Sequence, residues 1–248
     1  MKTALQVYTV RDAVNAVGGL EKALEKIAGI GYEGVEFAGY YDLPAKQLKK
    51  ALDDNGLKAA GSHVWFDDLT DDFDNTVQYC LDIGLEYASV PGIPPEFHDS
   101  FEKTVETAQT LGKLAEKCEQ RGLKLSFHNH KHEFTTVYNG KSVHEILLEY
   151  GAPLGFELDT GWSSVAGIEN REYMHRLGNR LHLVHLKDVV GDHTPVEIGT
   201  GEVDIKKVVD TAKEMGVAWG IVEQDNMQTY TDPFESVAVS LANLKKLL

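Results

Sequence analysis

The chain has 248 residues, 42% hydrophobic and 25% charged, with a formal net charge of −15. That composition is ordinary for a soluble globular protein with an ample core, and its acidity argues against a nucleic-acid backbone or an anionic membrane surface as partner. No apolar run approaches the ~18 residues of a membrane span, and the N-terminus MKTALQVYTVRDAV lacks the apolar stretch of a signal peptide. Cys80 and Cys118 are the only cysteines and form no C-x-x-C pair, so two thiols in a reducing cytoplasm are expected.

In chain order, eight short apolar runs read as buried strands: TALQVYTV, YEGVEFAG, LKAAGSHVW, LEYASVPG, LKLSFHNH, PLGFELDT, LHLVHLKD and WGIVEQD. Longer amphipathic stretches follow them, such as LEKALEKIAGIG, PAKQLKKALDDNG and DIKKVVDTAKEMG, several stopping at a glycine (Gly31, Gly56, Gly216) as helices do. Eight strand–helix units in ~250 residues predict a (β/α)8 TIM barrel. A doubly wound sheet is the alternative, but its Gly-rich first turn is missing from VYTVRDAV. No low-complexity linker divides the chain, so one domain over residues 1–248 is expected.

Strand alternation then sorts the side chains. Leu125 and Phe127 share one face of the fifth run, with Ser126, His128 and His130 on the other. In the sixth, Glu157 and Asp159 oppose Leu154, Phe156 and Leu158; His185 and Lys187 share a face of the seventh, and Glu223 and Asp225 one of the eighth. Gln6, Tyr8, Glu36 and His63 join them from earlier runs. Most of these polar residues lie at C-terminal strand ends, the rim where barrel enzymes build their sites. Imidazole and carboxylate groups gathered there, with no thiolate near, suit a divalent metal ion (Mn²⁺, Mg²⁺, Co²⁺ or Zn²⁺), because burying them together without a cation is costly. Each has a plainer reading as well: Asp159 as a helix cap, Glu223 as the ion-pair partner of Lys187, a strand-end histidine as a hydrogen-bonded structural group.

The runs LQVYTVRD, GVEFAGYY, GLKAAGSH, FHNHKHEF, ELDTGW, HLVHLKD, IGTGEVD and IVEQD together resemble the sugar phosphate isomerase/epimerase superfamily of xylose isomerase-like barrels, across essentially the whole chain. This group includes ketose 3-epimerases, inosose dehydratase and inosose isomerase. The resemblance implies metal ligands at Asp159, His185 and Glu223, with His128 at the place of the epimerases' fifth-strand glutamate. The fourth ligand is then His128, or Glu133 folding back from the loop. Substrate contacts are implied for His63, Trp162 and Lys187, with Glu36 a further candidate. Trp162 stands where the epimerases have a histidine and has a plain reading as a half-buried rim residue.

The expected chemistry is abstraction of a proton next to a carbonyl, with a metal-stabilised enediolate. Glu223 and Glu133 are the candidate bases, and His130 and His63 would handle hydroxyl protons. The expected function is therefore a sugar or cyclitol isomerase or epimerase. A dehydratase or lyase acting on a keto-sugar or inosose is the alternative, and a barrel that binds sugar without turnover is a third. The HNH letters do not make the chain an HNH nuclease, whose residues are spread over a separate ββα motif. Endonuclease IV needs more ligands and a basic face. An unphosphorylated substrate is a further expectation; the sequence does not reveal the oligomeric state, though barrels of this kind often form homo-oligomers.

Overall fold

The computed structural model describes residues 1–248. Eight parallel strands close into a barrel in chain order: β1 Lys2–Gln6, β2 Gly34–Ala38, β3 Lys58–His63, β4 Tyr87–Val90, β5 Lys124–His128, β6 Gly155–Asp159, β7 Leu181–Leu186 and β8 Trp219–Val222, with β8 pairing back to β1. Every apolar run in the sequence therefore contributes one strand, and the fold is the expected (β/α)8 barrel. The outer layer consists of α1 Leu20–Ile30, α2 Ala45–Asp54, α3 Phe73–Asp82, α4 Phe101–Gln120, α5 Val143–Tyr150, α6 Asn170–Leu177, α7 Ile205–Glu214 and α8 Pro233–Leu244. No helix is long and apolar enough to cross a membrane.

Helical spacing decides which face each helix buries. In α1 the buried positions are Leu20, Ala23, Leu24 and Ile27, a single stripe turned to the sheet. The helix stops where Gly31 takes a φ of 104° and its N–H reaches back to Ile27 and Ala28. Cys80 in α3 and Cys118 in α4 are free and buried, where burial pushes both thiols up, to about 11 and about 12.

Strand alternation gives the barrel two apolar regions. Leu5, Phe37, Phe127, Phe156 and Val184 point outward into the large core under the helices. Inside the barrel, Ala4, Ala60, Tyr87, Leu183, Trp219 and Ile221 form a small separate floor. Two register shifts break the simple alternation, between Val35 and Glu36 against β3 and between Phe156 and Glu157 against β7. At the first, successive residues Ala60 and Gly61 both face inward, Gly61 lying against the Glu36 carboxylate, where any Cβ would collide with it. A bulge of this kind re-aims the side chains beyond it. His63 and His185 consequently both point into the barrel, above the floor.

Candidate active site

Three short helices shape the rim at the C-terminal strand ends: Phe66–Asp71 after β3, Lys131–Thr135 after β5 and Thr160–Val165 after β6. The last begins on Asp159, whose Oδ1 accepts the Trp162 N–H at 2.8 Å. Asp159 thus does act as a helix cap, but with one oxygen only. Its Oδ2 is buried and turned toward Lys187, Glu223 and His185. Asn129 ties β5 to β6, accepting the Asp159 N–H at 3.0 Å and donating to the Asp159 carbonyl.

His185 is the hub. Its Nδ1 lies 2.9 Å from Glu223 Oε2 and 3.9 Å from Asp159 Oδ2. Its Nε2 meets Glu36 Oε2, and Glu157 Oε1 is 3.3 Å away. Glu157 also reaches His63 Nε2 at 3.0 Å, and Gln6 donates to Glu36 at 2.9 Å. His128 Nδ1 is 3.3 Å from Glu157 Oε2 but lacks hydrogen-bond alignment, so this nitrogen remains without a partner. Lys187 Nζ sits 3.0 Å from Asp159 Oδ2, 3.0 Å from Glu223 Oε2 and 2.9 Å from Asp225 Oδ2. These are ion-pair contacts; none has hydrogen-bond geometry.

Burial and neighbouring charge set the protonation of each group. For Glu157 burial opposes ionisation, but His185, His128 and His63 outweigh it and hold the carboxyl well below its usual range. For Glu223 burial is likewise overcome, by Lys187 and His185. Burial and the nearby Glu157 push Glu36 up to about 7. Burial lifts Asp159 to about 6, against the pull of Lys187. Burial favours the neutral form of His128 and His130, and both are shifted down. Burial acts the same way on His63 and His185, but the carboxylates around them prevail and raise both.

The ligand atoms of His128, Asp159, His185 and Glu223 all lie within 4.8 Å of one another, as do those of a second set, His63, His128, Glu157 and His185. The partnerless Asp159 Oδ2, His128 Nδ1 and Glu157 Oε1 and the mixed nitrogen and oxygen donors fit a divalent cation. The expected ligand residues are therefore brought together. His128 is among them, whereas Glu133 is not. Glu133 accepts the His130 backbone N–H at 2.8 Å through Oε2, and its Oε1 lies 2.9 Å from His132 Nε2. That holds it in the loop, in a separate group with His130 and His132.

A cavity of about 620 Å³ opens above these groups. His63, His128, His130, Trp162 and Glu223 line it, while Glu36 and Lys187 lie beneath the lining and touch its charged groups. Glu157 is the central residue that sequence reasoning passed over. Its parity had already put it on the inner face with Asp159, and that was the available signal.

Residues 24–247 match the model of the xylose isomerase-like TIM barrel family. Over its full length the chain is similar to the rhizopine catabolism protein MocC of Rhizobium meliloti, with 24% identity covering 88% of that protein. Inosose dehydratase of Geobacillus kaustophilus is 26% identical over 69% of this chain and 63% of its own length. In three dimensions, a sugar phosphate isomerase/epimerase of Parabacteroides distasonis superposes with a TM-score of 0.85 at 21% identity, covering 99% of this chain and 98% of that one. The match over nearly every residue, on a barrel whose C-terminal rim carries this cluster, places the chain in the family of xylose isomerase-like TIM barrels.

Proposed function

We propose that the protein is a metal-dependent enzyme that removes a proton from the carbon next to the carbonyl of a keto-sugar or inosose and then expels the group on the following carbon. The observation that carries this reading is the asymmetry of the acid–base groups around the cavity. Among the carboxylates at the cavity, Glu223 belongs to the buried cluster, whereas Asp225 is paired with Lys187, Asp67 is exposed on the rim and Glu133 is engaged elsewhere; His63, His128 and His130 are imidazoles. One carboxylate base with an imidazole acid opposite suits elimination. Epimerisation through two carboxylates on opposite faces of the substrate would need Glu133 or an equivalent in the cavity. The similarity to inosose dehydratase supports the same choice.

A divalent metal held by His128, Asp159, His185 and Glu223 would supply Lewis-acid polarisation of the substrate carbonyl. Glu223 makes its contacts with His185 and Lys187 through Oε2, which leaves Oε1 to take the proton. Lys187 and His185 keep this carboxylate ionised, so that it is free to accept a proton. His63, whose protonated form Glu36 and Glu157 favour against burial, donates to the departing oxygen. Neutral His130 positions a substrate hydroxyl.

The test is incubation with Mn²⁺ in D₂O against a panel of inososes and 3-keto-sugars, following deuterium entry and the ultraviolet absorbance of an enone. Exchange with enone formation is expected. Exchange giving an aldose–ketose pair instead would make the enzyme a one-base isomerase, and exchange with inversion at the carbon an epimerase. A metal-loaded protein that binds these polyols without exchanging any proton would be a binding barrel.

A further inference from the structure

We infer that the substrate is a keto-sugar bearing a flat, apolar substituent, and that the loops after β1, β3 and β4 form the subsite for that substituent. The keto-sugar half of this statement rests on the function proposed above.

The cavity is divided chemically. The ionisable groups aligned for chemistry come chiefly from the β5–β8 side, whereas Tyr8, Trp65, Phe66, Pro91, Ile93 and Pro94 build the wall opposite. A free sugar or cyclitol carries hydroxyls all round its ring, and beyond the Tyr8 hydroxyl and the Asp67 carboxylate these would find few partners along such a wall. At about 620 Å³ the cavity also lies well inside the ~300–1,000 Å³ range of sites that hold drug-sized ligands, which are larger than one sugar ring.

The wall contains large aromatic surface that the protein's own packing does not cover. Trp65 is 65% exposed and Tyr8 41% exposed, although both face a cavity. Arg11 lies over the Tyr8 ring, 3.9 Å from its centroid. Phe66 packs on Phe97 at 5.3 Å, which anchors the start of the short helix that follows Trp65. An indole at the rim with its surface open is suited to stacking on a flat ring. The lining contains no lysine or arginine, the adjoining Arg11 is engaged by the Tyr8 ring and carbonyl, and Asp67, Glu223 and Asp225 are acidic, so a phosphate is disfavoured as the substituent.

The test compares binding of free 3-ketoglucose, a 3-keto-disaccharide and 4-nitrophenyl 3-keto-β-glucoside to the metal-loaded protein by calorimetry, in wild type and in Trp65→Ala. Because Trp65 is exposed, the variant keeps its fold, which circular dichroism checks. The aryl glycoside should bind roughly five- to tenfold more tightly than the other two, as expected for one aromatic pair. Trp65→Ala should remove that advantage and leave 3-ketoglucose binding unchanged. Equal or undetectable binding of all three overturns the inference, as does an advantage that survives Trp65→Ala. A disaccharide that binds as tightly as the aryl compound overturns the apolar assignment. Deuterium exchange on the same compounds is read separately. Aryl preference without exchange would remove the proposed reaction and keep the subsite, while exchange without aryl preference would do the reverse.

Discussion

Glu36 grips the His185 ring from the side opposite Glu223: Oε2 of Glu36 meets Nε2, and Nδ1 is left facing Glu223 and Asp159. A carboxylate on the far nitrogen fixes both the tautomer and the orientation of a ligating imidazole. Glu36→Gln keeps the size of the side chain but removes its charge. It should lower affinity for a divalent metal by roughly 10- to 100-fold with no change in fold. Metal titration by calorimetry alongside circular dichroism checks this, and unchanged affinity would mean that Glu36 does not set the His185 orientation.

Asp159 has two separable duties, a cap through Oδ1 and a charge at Oδ2. Asp159→Ala should abolish metal loading and also remove the cap, at a cost of roughly 0.5–2 kcal/mol. Asp159→Asn should lose the metal while retaining most of the stability. Elemental analysis and urea unfolding of both variants separate the two effects, and full metal occupancy in either would remove Asp159 from the ligand set.

Lys187 is fully enclosed and is the single ammonium among Asp159, Glu223 and Asp225. Breaking a buried ion pair from one side costs about 3–5 kcal/mol, because the remaining charges are left without compensation. Lys187→Met should therefore be destabilised by about that amount in chelator, and added Mn²⁺ should restore much more stability to it than to wild type. Urea unfolding with and without metal is the measurement. Equal stability of variant and wild type in chelator would contradict the compensating role.

His144, under the loop that carries His130, donates or accepts at 2.7 Å with the Tyr173 hydroxyl and stacks on Phe134 at 4.6 Å. Burial takes its pKa from 6.5 to about 3. The unfolded chain thus takes up this proton near pH 6.5 and the folded chain only near pH 3, so the contribution is complete above pH 6.5 and is lost progressively down to about 3. Replacing His144 with Phe should flatten the acid limb of the stability curve across that window. Parallel limbs for the two proteins in urea unfolding from pH 7 to pH 3 would show that His144 is not an acid-sensitive group.

Much of the scaffold and the rim was legible because a barrel strand has a simple period. Each apolar run gave one strand, and alternation with the outward-facing Phe127 and Phe156 put His128, Glu157 and Asp159 inside. Two kinds of information were hidden. The shifts beside Glu36 and Glu157 depend on how neighbouring strands pair, which no single strand encodes. The fate of Glu133 was decided by a local competition, since the same carboxylate can cap the short helix at His130 or reach the cavity, and the backbone N–H won. The apolar wall escaped for a third reason. Tyr8, Trp65 and Ile93 come from three different loops and acquire a common meaning only when the barrel closes.

The inner floor of Tyr87, Leu183, Trp219 and Ile221 makes the barrel a blind well with its mouth at the rim. A substrate, a metal ion and protons exchanged with solvent would therefore share one entrance. A ligand lying across the apolar wall would stand over the charged cluster like a stopper, so a bound substrate should slow the escape of a bound metal to a chelator.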